Sequence, residues 1–482
     1  MLFNCFLFIS SLITRIYGLT WGNGYYFHPD ENNMAGALSQ LNFQNFNPHF
    51  FAYGQFPLYL GFFSLKILNL ANNFSNSIII LRLWSAIFSL LSLFIFYKIY
   101  KNKLFLLFLI FSPGLIQIAH FGTTESLLVL IFTLNIYLSL KISKKYKFKY
   151  LLFASIISGI GIGTKLSSIV FIIPIIISLL FQKKYFQLIF YGLLAFLFSI
   201  ISSPYSVINF SDFISSMRYE MSVATGSLSV FYTRQFTGTI PYIFQLTKIF
   251  PYVSGFPIFI VSFFSLLFFS KKYLKSKKFL LISIPCLIYF LYFGQTFVKW
   301  TRFMSPVFFV FPLLASFVVS KISSKIVKFF LIILAIIPGF LFQGIYFQKD
   351  IRLQASEWID NNLKSNSKIL SEGGNVIDLP INTKNNYDVK NFDFYNLDET
   401  LLSQDLLKDY LKNSRYIIIP SRRIFKNQMN SLFPSSQKYY QQLFSGELGF
   451  KLIKIFNKNI YENAEETFTV FDNPTIRIYE KQ

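Results

Sequence analysis

Apolar runs of about 15–20 residues recur from the N-terminus to about Tyr346. A run of this length crosses, or nearly crosses, a hydrocarbon core of roughly 30 Å as an α-helix, and a helix satisfies its own backbone hydrogen bonds. The chain is 53% hydrophobic and only 14% charged, which is far from the composition of a soluble globular protein. The sequence therefore predicts an α-helical polytopic membrane domain over 1–347, followed by a second domain over 348–482.

The formal net charge of +23 raises the question of nucleic-acid binding. The lysines, however, stand in five short clusters between the apolar runs rather than on one face or in one tail. Such clusters are typical of the cytoplasmic loops of membrane proteins. We therefore expect contact with membrane lipids and no nucleic-acid partner. The clusters lie at 98–103, 141–149, 183–184, 271–278 and 321–328.

The same clusters predict the topology. Placing all five in the cytoplasm requires two crossings between successive clusters, and the apolar runs supply them. The result is about eleven spans in the plasma membrane, a cytoplasmic N-terminus and an extracytoplasmic C-terminal domain. Two large outer loops remain, 21–77 and 204–254, with the apolar piece Phe56–Leu70 on the outer leaflet, or as a further span if one cluster is misplaced. The predicted spans lie near 3–20, 78–97, 104–118, 125–140, 150–164, 166–181, 187–203, 255–270, 279–294, 304–320 and 329–346.

All three histidines and three carboxylates fall in or beside the large outer loop 21–77 and a short second outer loop, 118–125. Carboxylates at the rim of a membrane are costly and are therefore functional candidates. Asp30 has a second and compatible explanation, because Asp favours the N-cap of a helix, here one over Glu31–Leu41. The other residues of the group could equally be solvated loop residues. The group is His28, Asp30, Glu31, His49, His120 and Glu125.

Seven basic residues map to the outer side of this topology, against the usual cytoplasmic bias of Lys and Arg. Arginine presents a planar fork of donors to a phosphate, and lysine presents a point charge. Any one of the seven could be an anchor at the membrane interface. As a set beside carboxylates, they indicate an anionic lipid headgroup such as a phosphate or diphosphate. They are Arg15, Arg82, Lys165, Arg218, Arg234, Lys299 and Arg302.

Eight segments, in this order and spacing, resemble the C-type polytopic glycosyltransferases that use polyprenyl-phosphate sugars. The similarity is to glycosyltransferase family 39 and its protein-mannosyltransferase-like bacterial and archaeal members. The acidic pair at 30 and 31 is also shared with lipid-linked mannosyltransferases of eukaryotes, so the pair indicates the superfamily better than the subfamily. The segments are RIYGL (15–19), FHPDENNMAGAL (27–38), NPHFFAYGQFPLYL (47–60), LRLWSAIFSLLSLFIFY (81–97), SPGLIQIAHFGTTESLLVLIFTLNIYL (112–138), GIGIGTKLSSIVFIIP (159–174), KWTRFMSPVFFVFPLLA (299–315) and ASEWIDNNLKSNSKILSE (355–372).

The resemblance implies inverting transfer of a mannose-like hexose or a pentose from a polyprenyl-phosphate donor. The acceptor would be a hydroxyl on a protein, a lipid or a glycan. Asp30 is the implied catalytic base, and Glu31 holds the acceptor or supports the loop. Glu125 orients the acceptor, binds a metal or shares the role of base, while Arg15 and Arg82 brace the loop.

The same resemblance and the outer cations give a set of binding candidates. Lys165, Arg302 and Arg234 are the candidates for the lipid phosphate. His28, His49 and His120 are further candidates for substrate binding. A divalent ion such as zinc or manganese would suit carboxylate and imidazole ligands, with Asp30, Glu125 and His120 as its candidate ligands. Their spacing, however, matches no recognised metal motif.

The last part of the chain alternates segments typical of helices and strands, which predicts a small α/β domain. Its expected role is acceptor binding, covering the active site, or structure alone. The rival to a transferase is a transporter or flippase of lipid-linked sugars, which predicts ionisable groups near the bilayer midplane and two related halves. A non-catalytic scaffold would have no need of the acidic pair. The predicted helices are 352–363, 401–413 and 436–444, and the predicted strands are 367–372, 414–421, 450–456 and 467–481.

Overall fold

A computed structural model describes residues 2–268, 276–373, 378–381, 385–456 and 461–482. The chain divides into two compact units, and the second one combines the C-terminal part with two short segments from earlier in the sequence. The first unit consists of Met1–Leu19, Asp30–Leu228 and Ile240–Gly344, and the second of Thr20–Pro29, Ser229–Thr239 and Ile345–Gln482.

The first unit is built from helices. Its α-helices, including two that extend into the second unit at one end, are α1 Leu2–Ile16, α2 Pro29–Ser39, α3 Phe56–Ile67, α4 Phe74–Ile99, α5 Lys103–Ile110, α6 Pro113–His120, α7 Glu125–Lys144, α8 Phe148–Ile162, α9 Ile173–Phe181, α10 Tyr185–Ser202, α11 Tyr205–Ile208, α12 Phe210–Thr225, α13 Phe250–Ser254, α14 Phe256–Phe263, α15 Lys277–Gly294, α16 Val310–Lys321 and α17 Lys325–Phe347. Shorter helical turns of other types are Leu166–Ile172, Gln245–Ile249, Phe264–Phe268 and Thr301–Val307.

Among the described residues, five helices are long and apolar enough to cross a membrane, or up to eight if each bent pair counts as one span. The five are α4, α7, α10, α15 and α17. The bent pairs are α5 with α6 at 55°, residues 245–254 with α14 at 115°, and Thr301–Val307 with α16 at 47°. The predicted multi-pass helical architecture is confirmed. The spans predicted at 3–20, 150–164 and 166–181 fall on apolar helices shorter than the five.

Two of the bends have a cause in the sequence. Pro113 opens α6 directly after Ser112, and Pro257 follows Gly255 at the start of α14. Proline lacks the backbone N–H that would continue the preceding helix, so each helix stops and a new one starts. Gly255 has φ +86°, which places it in the left-handed region that a glycine adopts at little cost.

The predicted surface piece Phe56–Leu70 forms α3, a helix of 12 residues. At 1.5 Å per residue it is roughly 18 Å long, which is too short to cross a bilayer core. Its inward side is packed, since Leu58, Phe62 and Leu65 are all fully buried. The Trp84 indole of α4 donates a hydrogen bond of 2.9 Å to the Ser64 hydroxyl.

Arg15, in α1, is fully buried inside the first unit. Its Nη1 and Nη2 groups donate to the carbonyls of Ile110 and Leu109, each at 3.0 Å, and its Nε donates to Ser89 Oγ at 2.9 Å. These carbonyls belong to the last turn of α5, where the intrahelical pattern ends before Pro113 and the Leu109 carbonyl also accepts the Ser112 N–H at 3.3 Å. A cation at a helix C-terminus is also favoured by the helix dipole. Arg15 therefore stabilises the break between α5 and α6 rather than the outer loop we predicted.

The second unit contains a five-stranded sheet with strand order β2-β1-β3-β5-β4. The pairs β1–β2 and β1–β3 are parallel, and β5 runs antiparallel to both β3 and β4. The predicted small α/β domain is therefore confirmed. The strands are β1 Lys368–Glu372, β2 Asp388–Phe392, β3 Tyr416–Ile419, β4 Phe450–Phe456 and β5 Ile476–Lys481, and the helices are α18 Ile351–Asn362, α19 Leu401–Asn413, α20 Arg423–Gln428 and α21 Pro434–Ser445.

The sequence prediction misplaced the start of one strand of this sheet and missed another strand. The strand predicted over 467–481 begins only at Ile476, because Glu466–Phe468 forms a helical turn that Glu465 caps from its side chain. Strand β2 was not predicted. It is an edge strand with the sequence DVKNF, of which only Phe392 is buried, so it lacks the apolar alternation that identifies a half-buried strand.

Candidate functional site

The first acidic residue of the site is Asp30, in the opening turn of α2. The helix begins two residues earlier than predicted, at Pro29, a residue type that suits the first helical position. Asp30 therefore lies inside the first turn, where a negative charge is favoured by the helix dipole, rather than at the N-cap. Its Oδ2 accepts a hydrogen bond from Arg302 Nη1, and each side chain is 18% exposed. Arg302 also packs over the Trp300 ring, 4.4 Å from its centroid.

Glu31 points into the interior rather than into the site. Its two oxygens accept hydrogen bonds from Arg82 Nε at 3.0 Å and Nη2 at 2.7 Å, and its Oε1 also accepts the Gly122 N–H at 2.5 Å. Arg82 Nη1 donates in addition to the Leu19 carbonyl at 2.9 Å. Of the two roles expected for Glu31, the geometry favours support of the loop. The Glu31–Arg82 pair joins α2 and α4 to the loop that leads into Glu125.

Glu125 is the first residue of α7, and Lys165 is its partner. Lys165 Nζ lies 3.6 Å from Glu125 Oε1, with Glu125 2% exposed and Lys165 18% exposed. The ammonium also lies 5.1 Å from the ring centroids of both Tyr53 and Phe303, within the range of a cation–π contact. The loop that holds Tyr53 is fixed by Gly54, whose N–H donates to the Thr164 carbonyl at 2.8 Å.

These two ion pairs form one electrostatic cluster. Burial lowers the pKa of the Lys165 ammonium below its usual value, Glu125 and Asp30 oppose that change, and Arg302 adds to it. Burial likewise raises the pKa of Tyr53 well above its usual value, with Asp30 and Glu125 adding to the shift and Arg302 opposing it. Each charge is therefore close enough to act on the same neighbours. The structure thus brings together Asp30, Glu125, Lys165 and Arg302, which lie far apart in the sequence.

Sequence reasoning missed two members of this cluster, Tyr53 and Glu220. Burial raises the pKa of Glu220, while the charges of Arg302 and Lys165 oppose the shift, so its carboxyl group is electrostatically coupled to both cations. Glu220 is one of only two acidic residues in the predicted outer loop 204–254, and that rarity was the available signal. Tyr53 stands within the segment NPHFFAYGQFPLYL, one of those that carry the family resemblance.

Helix α12, which carries Glu220, packs on two segments that carry other members of the cluster. Phe213 of α12 makes an edge-to-face contact with Phe51, with ring centroids 6.4 Å apart. The Val298 N–H donates to the Ala224 carbonyl at 3.2 Å. The first contact anchors α12 beside Tyr53, and the second anchors it near Arg302.

The histidines do not gather at the cluster. His120 is fully buried, and its two ring nitrogens lie 2.8 Å from the Ile116 carbonyl and 2.9 Å from the Tyr17 carbonyl. This side chain joins α6 to the segment after α1, which corrects its predicted role in binding substrate. His49 is exposed, with φ +47° and its backbone N–H donating to Asn47 Oδ1. His28 belongs to the second unit.

Arg234, predicted to bind the lipid phosphate, also belongs to the second unit. Its guanidinium lies 4.6 Å from the centroid of the Phe433 ring and donates to the Tyr395 carbonyl at 3.2 Å. It lies 3.5 Å from the Glu399 carboxylate as well. These contacts hold the segment Ser229–Thr239 within the second unit, and they give Arg234 a structural role there.

The predicted metal ligands Asp30, Glu125 and His120 are not assembled into a site. Over the described ranges, no group of three or more His, Cys, Asp or Glu side chains lies close enough to hold a metal ion. Both ring nitrogens of His120 face backbone carbonyls. The two carboxylates are each paired with a cation instead.

Part of the chain resembles a known protein family. Residues 61–208 match the family described as dolichyl-phosphate-mannose-protein mannosyltransferase. No curated protein sequence gives a significant match. The structure is similar to that of ArnT from Cupriavidus metallidurans bound to undecaprenyl phosphate, with a TM-score of 0.52 and 10% sequence identity over 99% of this chain and 97% of that one.

Two further similarities are weaker. The apo state of the same ArnT gives a TM-score of 0.48 at 11% identity, covering 99% of this chain and 97% of that one. The oligosaccharyltransferase of Archaeoglobus fulgidus, tethered to an acceptor peptide, gives 0.46 at 12% identity, covering 90% of this chain and 72% of that one. The similarity to ArnT shows that the chain has the fold of the C-type glycosyltransferases. The match over residues 61–208 confirms the resemblance to their protein-mannosyltransferase-like members that the sequence indicates.

Proposed function

We propose that this chain is an inverting glycosyltransferase that moves a sugar from a polyprenyl-phosphate donor to an acceptor hydroxyl at the outer face of the membrane. The observation that carries the proposal is the pairing of two carboxylates with two cations in one cluster, Asp30 with Arg302 and Glu125 with Lys165. Transfer from a lipid phosphate requires a base for the acceptor and positive charge for the leaving group. The cluster contains both.

In the proposed step, the acceptor oxygen attacks the anomeric carbon on the face opposite the phosphate. The new carbon–oxygen bond forms while the bond from the anomeric carbon to the phosphate oxygen breaks, and the bonding electrons leave with the polyprenyl phosphate. The acceptor proton passes to the Asp30 carboxylate. Because attack and departure occur on opposite faces, the anomeric configuration inverts.

The ion pair between Asp30 and Arg302 has a consequence for the order of events. A carboxylate paired with an arginine is stabilised in its charged form and is therefore a weaker base. A donor phosphate competes with Asp30 for the Arg302 fork, since arginine binds phosphate and carboxylate with the same geometry. Donor binding would then draw Arg302 to the leaving group and release Asp30 for the acceptor. The base would become active only when the donor is in place.

Lys165 and Glu125 have different roles in this proposal. Lys165 adds a second positive charge beside the phosphate, held in place by Glu125 and by the rings of Tyr53 and Phe303. Glu125 orients the acceptor hydroxyl or supports Asp30 as base. The ion pair of Glu31 and Arg82, together with the Gly122 N–H, holds the loop before Glu125 against α2.

The donor and acceptor classes rest on the matched relatives. The matching family acts with dolichyl-phosphate-mannose on proteins, as its description says, and the structurally similar ArnT was solved with undecaprenyl phosphate. We therefore propose a mannose-like hexose or a pentose as the sugar, and a protein, lipid or glycan as the acceptor. The lysine clusters support a plasma-membrane location with a cytoplasmic N-terminus and an extracytoplasmic C-terminal domain.

The test is incubation of the purified chain, in lipid nanodiscs, with a panel of polyprenyl-phosphate sugars and candidate acceptors. We expect one donor to be consumed with release of polyprenyl phosphate and formation of a product of inverted anomeric configuration. A flippase would instead move the intact donor between the leaflets of a vesicle without consuming it. Adding a chelator, and then zinc or manganese, to the same reaction tests whether transfer requires a divalent ion.

A further inference from the structure

The second unit holds the residues that immediately precede the proposed base. Its segment Thr20–Pro29 ends at Pro29, the first residue of α2, and the next residue in the chain is Asp30. Phe27 is 5% exposed and His28 is 3% exposed. A segment at the edge of a membrane domain thus has two adjacent side chains buried within the unit that carries the C-terminal sheet.

Two contacts hold these side chains. The Arg352 guanidinium lies 3.6 Å from the centroid of the Phe27 ring, a close cation–π contact between two buried groups. The His28 ring packs against Phe471, with ring centroids 4.5 Å apart. We call these four residues, Phe27, His28, Arg352 and Phe471, the Phe27–His28 clamp.

The two sides of the clamp are joined to each other. Arg352 Nη2 donates to the Phe471 carbonyl at 2.5 Å. Asp350 fixes the guanidinium with two hydrogen bonds of 2.9 Å and caps α18 through the Arg352 N–H at 2.8 Å. The neighbour of Phe471, Asp472, accepts the Tyr346 hydroxyl at 2.7 Å. The clamp is therefore part of a buried hydrogen-bonded network.

The connection from the clamp to the base is short and stiff. Only Pro29 separates His28 from Asp30, and the proline ring fixes its own φ near about −65°. A shift of Phe27 and His28 is therefore passed on to the first turn of α2. Misplacing a catalytic group by about 1 Å can cost roughly a hundredfold in rate.

From this arrangement we propose that the second unit positions the catalytic carboxylate, with Arg352 and Phe471 acting as positioning residues for Asp30 through Phe27 and His28. This inference rests on the proposed transferase function. It gives His28 a role in positioning rather than in binding substrate, and it gives the C-terminal domain a role in placing the base.

The test uses the full chain in nanodiscs and combines two measurements. The first is hydrogen exchange of the backbone amides over 30–36, and the second is the steady-state rate of sugar transfer. His28→Ala removes one ring contact, and Phe27→Leu removes the other while keeping an apolar side chain. His28→Phe keeps a ring against Phe471. Arg415→Ala is the matched control, because Arg415 is a half-exposed arginine of the same unit that pairs with Glu480.

For His28→Ala and Phe27→Leu we expect faster exchange over 30–36 and a fall in kcat of about tenfold, with the donor KM within about twofold of wild type. His28→Phe should restore both readouts, and Arg415→Ala should leave both at wild type. The proposal is overturned if His28→Phe is as impaired as His28→Ala, or if exchange and kcat do not change together. If wild type transfers no sugar, the proposed function fails, while the exchange data still decide whether the clamp orders α2.

Discussion

Glu31 and Arg82 form an ion pair in which neither side chain is more than 1% exposed, and the Gly122 N–H completes it. A buried charge left without its partner costs about 3–5 kcal/mol, whereas replacing both partners with apolar groups is often tolerated. The pair therefore ties the acidic segment at 30 and 31 to the loop before Glu125, without itself touching substrate.

The first prediction concerns this pair. Arg82→Met and Glu31→Leu should each destabilise the first unit by about 3–5 kcal/mol, and the double variant should be more stable than either single one. Thermal unfolding in detergent, compared by double-mutant cycle, measures the difference. If the two single changes are additive, the pair has no special role in holding the loop.

The second prediction concerns competition for Arg302. Asp30→Asn removes the carboxylate that occupies the arginine, so polyprenyl phosphate should bind several-fold more tightly to this variant than to wild type. Arg302→Met should bind it at least about tenfold more weakly. Titration calorimetry or lipid-exchange binding gives both values. Weaker binding to Asp30→Asn would show that the ion pair does not hold Arg302 away from the donor.

The third prediction separates Lys165 from Glu125. Lys165→Met removes a positive charge beside the phosphate and should raise the donor KM as well as lower kcat, since the charge acts on bound donor and on leaving group alike. Glu125→Gln keeps the size of the side chain and should act mainly on kcat. Initial rates over a range of donor concentrations distinguish the two patterns. Identical effects on KM would contradict this division of roles.

The fourth prediction concerns pH. Burial raises the pKa of Glu372 to about 8, although the Tyr440 hydroxyl, 2.6 Å from its Oε1, opposes the shift. The folded state thus keeps a proton that the unfolded chain releases near pH 4.5. The second unit should therefore lose stability as pH rises from about 4.5 to about 8, by a few kcal/mol at most, and should change little through this group above that.

Glu372→Gln carries no titrating proton and should flatten this pH dependence. Glu357→Gln, at an exposed position of α18, is the matched control and should leave it unchanged. Hydrogen exchange of the β1 and β3 amides in the full chain, measured across the pH range, reports the stability of the sheet. An equally steep slope in Glu372→Gln would assign the effect to another group.

Much of the fold could be predicted because the pattern of apolar and basic residues that indicates each element lies within a short stretch of sequence. Apolar runs identified the membrane helices, and lysine clusters separated them. Of the fourth lysine cluster, Lys271, Lys272 and Lys275 lie outside the described residues. The bends between helices were harder to predict, because an apolar run such as 104–118 has the length of one span and only Pro113 within it indicates a break. The edge strand β2 has too little apolar alternation to be recognised.

Part of the candidate cluster could be predicted because its residue types are unusual at the rim of a membrane. Acidic residues at the membrane rim identified Asp30 and Glu125, and outer cations identified Lys165 and Arg302. The partner of each residue was not predictable, since pairing depends on packing between distant segments. For the same reason the sequence could not show that Arg15 caps a broken helix, or that Phe27 and His28 belong with the C-terminal sheet.

Turnover of a polyprenyl-phosphate sugar by wild type, Asp30→Asn and Asp212→Asn in nanodiscs tests whether Asp30 is the base. Asp212 is an exposed carboxylate on α12 and serves as the matched control. We expect donor consumption by wild type and Asp212→Asn, and a loss of at least about a thousandfold in kcat for Asp30→Asn, although that variant still binds the lipid phosphate. Turnover by Asp30→Asn at the wild-type rate would show that Asp30 is not the base.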